Sequence, residues 1–251
     1  MIIIKSPEEL RRMRESCRLA AIVRDKVARL VAPGVTTQEL DEYAAREITG
    51  LGGKSAFLGF RGYPGHICLS VDSEVVHGIP GKRQIQLGQI VSVDVGVIYG
   101  GFVGDTALTV MVAVTDAEVI RLVATTERAL QAGVSQARAG GYVSDISHAI
   151  EQTTMTAGFA VVRTFVGHGI GRTLHEDPQI PNFGPPGRGP RLKEGMTLAI
   201  EPMVNMGGSD VEVMHDGWTV LTADRKPSAH FEHTVAIGPA GPEILTMAEG
   251  T

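Results

Sequence analysis

The chain has 251 residues, 43% of them hydrophobic and 20% charged, with 31 glycines and a formal net charge of −5. That mix excludes a disordered, collagen-like or coiled-coil protein. The acid excess argues against bulk binding to nucleic acid or an anionic membrane.

The first residues, MIIIKSPEEL, hold one short apolar run and then charge, unlike a signal peptide. No later stretch reaches the ~20 apolar residues of a membrane span. Two cysteines, Cys17 and Cys68, are too few for a disulfide framework and fit a reducing cytosol. A cytoplasmic protein with no nucleic-acid or membrane partner is expected.

Ser6-Pro7-Glu8-Glu9 is a capping box with proline at the first helical position. It predicts a helix running to Pro33-Gly34. Thr36 and Glu39 form a second box, opening a helix through about Leu51. Strand-like stretches follow near 66–76, 90–98 and 102–114. Thr115 and Glu118 then open another long helix by the same device. Gly140-Gly141 punctuates as Pro33-Gly34 does, and a helix through about Gly158 follows. Asp145-Ile146 falls where Glu39-Leu40 falls, at an offset of 106. Strand-like segments recur at 160–166, 196–206, 211–222 and 230–238. The order helix, helix, strands occurs twice. We read two related α+β halves, about 1–114 and 115–251, packed into a single catalytic domain over 1–251, with sites expected at the seam.

Within the first half, Val91-Ser92-Val93-Asp94-Val95-Gly96-Val97 alternates as a strand with one buried face does. A hairpin folded about Tyr99-Gly100 would set Asp94 opposite Asp105, Ser92 opposite Ala107 and Gly96 opposite Val103. Opposed side chains have Cβ atoms ~4.5–5.5 Å apart. Two carboxylates that close repel, and a bound cation offsets the repulsion. Taken alone, the segment reads equally as two solvated aspartates on an edge hairpin.

The second half adds donors. Gly167-His168-Gly169 presents a glycine-bracketed imidazole, Glu201 ends an apolar strand 107 residues after Asp94, and Glu232 stands beside Thr234 in an alternating strand. Each is individually consistent with an ordinary loop or strand-end polar residue. Together, four carboxylates and one histidine suit a pair of divalent ions such as Mn, Fe or Co, which sit ~3.5–4 Å apart in two-metal hydrolases.

These five residues resemble the type I methionine aminopeptidases. So do S-V-D-S-E-V-V-H-G-I-P at 70–80 and G-H-G-I-G-R-T-L-H-E-D-P at 167–178, and the likeness runs from about residue 3 to 248. The resemblance implies the α+β pita-bread fold, two pseudo-twofold-related halves around an antiparallel sheet. It implies removal of the N-terminal methionine from peptides and nascent proteins, by hydroxide held between two divalent ions (Co, Mn, Fe or Zn). It puts Asp94 on one ion, Asp105 and Glu232 between the two, and His168 and Glu201 on the other. It makes His77, His175 and Glu201 catalytic. It builds the methionine pocket from Phe57, Phe60, Tyr63, Cys68, Leu174 and Trp218, with His77 and His175 also touching substrate.

A hairpin over 217–235, turning at Asp224-Arg225-Lys226, would set Trp218 opposite Glu232. The sequence departs from the family pattern at Phe57, often cysteine; at Leu174, commonly phenylalanine; and at Asp72, usually asparagine, near a monovalent-cation position.

Other readings stand beside this one. An Xaa-Pro aminopeptidase or prolidase-like relative shares the fold but normally carries an extra N-terminal domain, whereas the half-repeat here begins almost at residue 1. A metal-free binding module of the same fold would not need all five ligands and both histidines. The type II branch needs a long insertion before the last ligands, and only 33 positions separate His168 from Glu201. The first 34 residues hold eight bases and four acids. Such a helix is ordinarily a solvated face; a weak ribosome contact is the functional alternative. A monomer is expected.

Overall fold

The computed structural model describes residues 1–248; the expected end of the domain at 251 lies outside the described residues. Four helices form where the caps predict them: α1 (Pro7–Leu30), α2 (Thr37–Gly50), α3 (Ala117–Gln136) and α4 (Val143–Thr156). Both predicted boxes at α1 and α2 close reciprocally. The Glu9 N–H donates to Ser6 Oγ and the Ser6 N–H to the Glu9 carboxylate, and Thr36 and Glu39 do the same. Such caps contribute about 1 kcal/mol each. At α3 the expectation needs correcting: Asp116, not Thr115, is the cap, its carboxylate accepting from the Glu118 and Val119 N–H groups. An ionised carboxylate also suits the positive end of the helix dipole.

The strands are β1 (Lys54–Ser55), β2 (Cys68–Val71), β3 (Glu74–Val76), β4 (Ile90–Tyr99), β5 (Phe102–Met111), β6 (Ala160–Val161), β7 (Gly167–Gly169), β8 (Glu176–Ile180), β9 (Thr197–Ile200), β10 (Met203–Asn205), β11 (Val211–Val213), β12 (Val220–Thr222), β13 (Ser228–His230), β14 (Glu232–Gly238) and β15 (Gly241–Ile244). Several predicted stretches are therefore broken. The 196–206 segment divides at Glu201-Pro202, where proline has no N–H for a ladder. The 160–166 segment shrinks to β6, and 211–222 becomes two short strands.

The main sheet runs β1-β4-β5-β14-β9-β7-β8, with β2 also on β4 and β15 also on β14. Strands β5 and β14 meet at its centre, with Glu232 paired to Ala107 and His233 to Thr106. The strands β4 and β9 flank them. One face packs on the helices. Leu19, Val23 and Val27 of α1 and Leu40 and Ile48 of α2 bury Val91, Val93 and Val95 of β4. Leu130 and Val134 of α3 and Ile146 and Ile150 of α4 bury Leu198, Ile200, Val235 and Ile237. Each such side chain contributes about 1.5–3 kcal/mol on full burial. Strand alternation then turns Ser92, Asp94 and Gly96, and likewise Glu232 and Thr234, to the opposite face. Among the described residues no helix is long and apolar enough to cross a membrane.

Two register expectations are overturned. The β4–β5 hairpin turns at Gly100-Gly101, not at Tyr99-Gly100. Both glycines have positive φ, 59° and 83°, as the favoured two-residue hairpin turn requires. Tyr99 therefore pairs with Phe102, and every partner shifts by two: Asp94 faces Ala107, Gly96 faces Asp105 and Ser92 faces Thr109. Asp94 and Asp105 become diagonal neighbours on one face.

The hairpin expected to set Trp218 opposite Glu232 does not form. Strand β12 pairs with β11 and β3, β13 with β10, and β14 with β5 and β9. The Asp72-Ser73 turn intervenes: the Thr222 N–H donates to the Ser73 carbonyl and the Ser228 N–H to the Asp72 carbonyl, so the two arms never bond each other.

Candidate metal centre

A cavity of about 950 Å³ opens on the face away from the helices. All thirteen candidate residues line it: Asp94, Asp105, His168, Glu201 and Glu232; His77 and His175; and Phe57, Phe60, Tyr63, Cys68, Leu174 and Trp218. They arrive from separate elements. Asp94 comes from β4 and Asp105 from β5. His168 lies in β7. Glu201 follows the end of β9, and Glu232 begins β14.

The acidic floor is buried and poorly satisfied. Asp105 is 4% and Glu232 2% exposed. Asp94 Oδ1, Asp105 Oδ1 and Glu232 Oε1 are buried with no hydrogen-bond partner. Burial pushes the Asp94, Glu201 and Glu232 carboxyls well above the usual range, with the neighbouring Asp105 charge adding to it. Burial moves Asp105 to about 7. Buried charges need pairing or a metal, and hard oxygen donors with one imidazole fit a divalent cation. Asp105, His168 and Glu232 each offer a donor atom, all within 4.8 Å of one another. The donor set therefore fits a divalent cation, as the resemblance implies.

The imidazole is prepared for the same task. Only His168 Nδ1 can donate to the Gly169 carbonyl, 2.9 Å away, so its proton lies there and Nε2 keeps a free lone pair. Burial, with the His175 ring beside it, lowers its pKa to about 3 and keeps it neutral. Nε2 points into the acidic cluster, 3.4 Å from Glu201 Oε1.

Support comes from both sides of the sheet. Thr234 Oγ1 donates to the Asp105 carbonyl at 2.8 Å, and the Asp105 N–H donates back at 3.2 Å, tying β5 to β14. Buried Arg24 of α1 donates to Thr106 Oγ1 at 2.6 Å, and Thr106 donates to the Glu232 carbonyl at 2.9 Å.

The remaining wall is aromatic. Trp218 packs edge-on to Tyr63 with ring centroids 5.1 Å apart and to His77 at 6.0 Å. Although Trp218 is not opposite Glu232, it still reaches the cavity. Phe60 stacks obliquely on His175 at 5.3 Å, and His175 contacts His168 at 4.3 Å. A Cβ at Gly96 would stand 2.5 Å from Phe57 Cε1, so only glycine beside Asp94 lets that ring lie against the strand. His77 has a left-handed φ of 60°, a conformation concentrated at functional sites. Burial drops its pKa to about 4, and burial also lowers that of His175, with nearby Arg61 contributing.

Three residues of this neighbourhood escaped the sequence reading. Phe165 lines the cavity and stacks edge-on with His77 at 5.5 Å. Arg24 interrupts the apolar stripe Met13, Cys17, Ala20, Val27 of α1, a signal legible in helical spacing. His230, 2% exposed, lies behind Glu201.

Residues 11–239 match the metallopeptidase family M24, and the chain belongs to that family. Relatives that it matches over nearly its full length carry the name methionine aminopeptidase. Methionine aminopeptidase 1 of Bacillus subtilis is 48% identical over 246 residues, 98% of this chain and 99% of the relative. The methionine aminopeptidase of Clostridium perfringens is 48% identical over 247 residues, again 98% and 99%. The crystal structure of methionine aminopeptidase from Thermotoga maritima superposes with a TM-score of 0.96 at 45% identity, covering 98% of this chain and 99% of that one. Prolidase from Pyrococcus furiosus shares the fold alone, with a TM-score of 0.81 at 20% identity over 98% of this chain and 66% of its own. The fold is the pita-bread fold that the resemblance implied.

Proposed function

We propose that this chain is a metallo-aminopeptidase that releases the N-terminal methionine of peptides and nascent proteins. The observation that supports it most is the joining, in one cavity, of unpartnered buried carboxylates and an aromatic wall. We read the chain as a single catalytic domain whose halves, about 1–114 and 115–251, both supply ligands. Asp94, Asp105, His168, Glu201 and Glu232 would hold two divalent ions, of Co, Mn, Fe or Zn. When bound, such ions supply Lewis-acid polarisation and hydroxide at neutral pH.

The chain's own groups do the rest. Phe57, Phe60, Tyr63, Cys68, Leu174 and Trp218 receive the methionine side chain, whose thioether suits aromatic edges, and they exclude water. Glu201, on the cavity floor, takes the proton from the attacking water and returns it to the leaving amine. His175 and His77, held neutral by their surroundings, donate hydrogen bonds, His175 to the developing oxyanion and His77 to the scissile peptide.

The test uses a Met-Ala-Ser peptide. Protein stripped with chelator is expected to lose methionine release and to regain it with Mn or Co. Activity that persists in chelator, or in Asp105→Ala at saturating metal, would sink the reading. Cleavage of Xaa-Pro peptides with non-Met Xaa would point to the prolidase side of the fold.

We take the enzyme to act as a cytoplasmic monomer. Helix α1 and its leading segment offer a ribosome little free charge. Lys5, Arg11, Arg12, Arg14, Arg18, Arg24 and Lys26 are paired with Glu176, Glu8, Glu8, Glu243, Glu15, Asp25 and Glu47 respectively. A ribosome contact through this face is therefore weak. Charge reversal at Arg11, Arg12 and Arg14 that leaves co-sedimentation unchanged would discard it.

A further inference from the structure

His230 ends β13, which pairs with β10 so that His230 stands opposite Met203. Two residues before Met203 is Glu201, and the ladder brings the two side chains together. His230 Nε2 is buried without a hydrogen-bond partner, and Glu201 Oε2 faces it at 3.8 Å. The other Glu201 oxygen faces His168 Nε2 at 3.4 Å. The Glu201 carboxylate thus lies between two imidazoles, one per oxygen. His168 lines the cavity; His230 does not.

The His230 backbone is clamped. Its N–H donates to Thr109 Oγ1 at 3.0 Å, and Thr109 Oγ1 donates to its carbonyl at 2.8 Å. The ring, carried on that fixed backbone, is buried, whereas the terminal torsion of a glutamate is broad and two-fold. Rotation of the carboxylate is the motion that brings Oε2 within reach. A buried polar nitrogen without a partner is unfavourable, and ligating carboxylates are in turn held by hydrogen bonds from outside the ligand shell.

We propose that His230 is a positioning residue for Glu201: Nε2–H donates to Glu201 Oε2 and holds the carboxylate with Oε1 turned toward the metal-binding cavity. The inference rests on the reading of Glu201 as a metal ligand and goes beyond it, since His230 stands outside the cavity lining. What matters is an N–H donor at this place, so glutamine is expected to substitute for histidine and leucine is not.

The experiment is calorimetric titration of Mn into the chelator-stripped full chain, as wild type, His230→Gln and His230→Leu. His230→Leu is expected to bind Mn about 10–100-fold more weakly, the usual cost of losing such support. His230→Gln is expected to stay within about threefold of wild type, a rescue that mere filling of space does not produce. Wild-type affinity in His230→Leu would overturn the inference. So would a loss of about tenfold or more in His230→Gln, which decides the matter alone if the leucine variant does not fold. Failure of the wild-type chain to bind Mn would instead overturn the metallopeptidase reading, and this inference with it.

Discussion

Lys5 Nζ lies 2.5 Å from Glu176 Oε2, with the two side chains only 3% and 5% exposed. The same carboxylate accepts the Arg172 N–H through Oε1 at 2.9 Å, and the Lys5 N–H donates to the Gly195 carbonyl at 2.8 Å. Glu176 directly follows His175. The pair therefore fastens the turn that carries Leu174 and His175 to the N-terminal segment, whose Ile3 also lines the cavity.

Removing one partner of this pair strands the other as a buried charge. Glu176→Gln is expected to cost about 3–5 kcal/mol of stability, read from urea denaturation. Turnover of Met-Ala-Ser should fall while bound metal per chain stays unchanged. Stability equal to wild type would show that the pair is not structural.

The acidic floor predicts a pH signature. An aspartate titrates near ~3.9 in an unfolded chain, and Asp105 here at about 7. Between those values the folded chain holds the extra proton, so this group's contribution to stability declines as pH rises. Buried His168 and His230, both lowered to about 3, act oppositely, adding stability as pH rises toward their unfolded value of ~6.5. Comparison with Asp105→Asn isolates the aspartate. In chelator, the variant's thermal midpoint relative to wild type should rise between about pH 5 and about pH 8. A pH-independent difference would count against the buried-carboxyl account.

Metal should reverse that ranking. A ligand that binds only the folded chain adds about 2.7 kcal/mol at one hundred times its Kd. Mn at about pH 8 is expected to raise the wild-type midpoint well above that of Asp105→Asn. Equal shifts in the two proteins would place the metal elsewhere.

In the proposed mechanism His175 serves the reaction without holding the floor together. His175→Ala is expected to lower kcat by about 10²–10³-fold, as loss of an oxyanion donor does, with metal stoichiometry intact. Metal loss in that variant would make His175 a ligand instead.

The pocket wall is tested at Gly96. Its Cβ would press on Phe57, so Gly96→Ala should displace that ring and raise KM for Met-peptides several-fold, with a smaller effect on kcat. An unchanged KM would show that Phe57 does not shape the pocket.

Local chemistry was what the sequence could determine. Ser6/Glu9 and Thr36/Glu39 announce their helices because a cap involves groups three residues apart. The Val91–Val97 alternation announces a half-buried strand because side chains alternate along any strand. Those signals, with the motif likeness, singled out Asp94, Asp105, His168, Glu201 and Glu232 as candidate ligands. Register was beyond them: moving the turn from Tyr99-Gly100 to Gly100-Gly101 shifted every cross-strand partner by two and made the aspartates diagonal neighbours. Trp218 reaches the cavity by packing on Tyr63 and His77, not through a hairpin with Glu232. His230 beside Glu201, and Arg24 behind Glu232, exist only because the sheet order brings β13 against β10 and α1 against β5. Such contacts join residues far apart in the chain, and their energies depend on which strands pair, something no local pattern encodes.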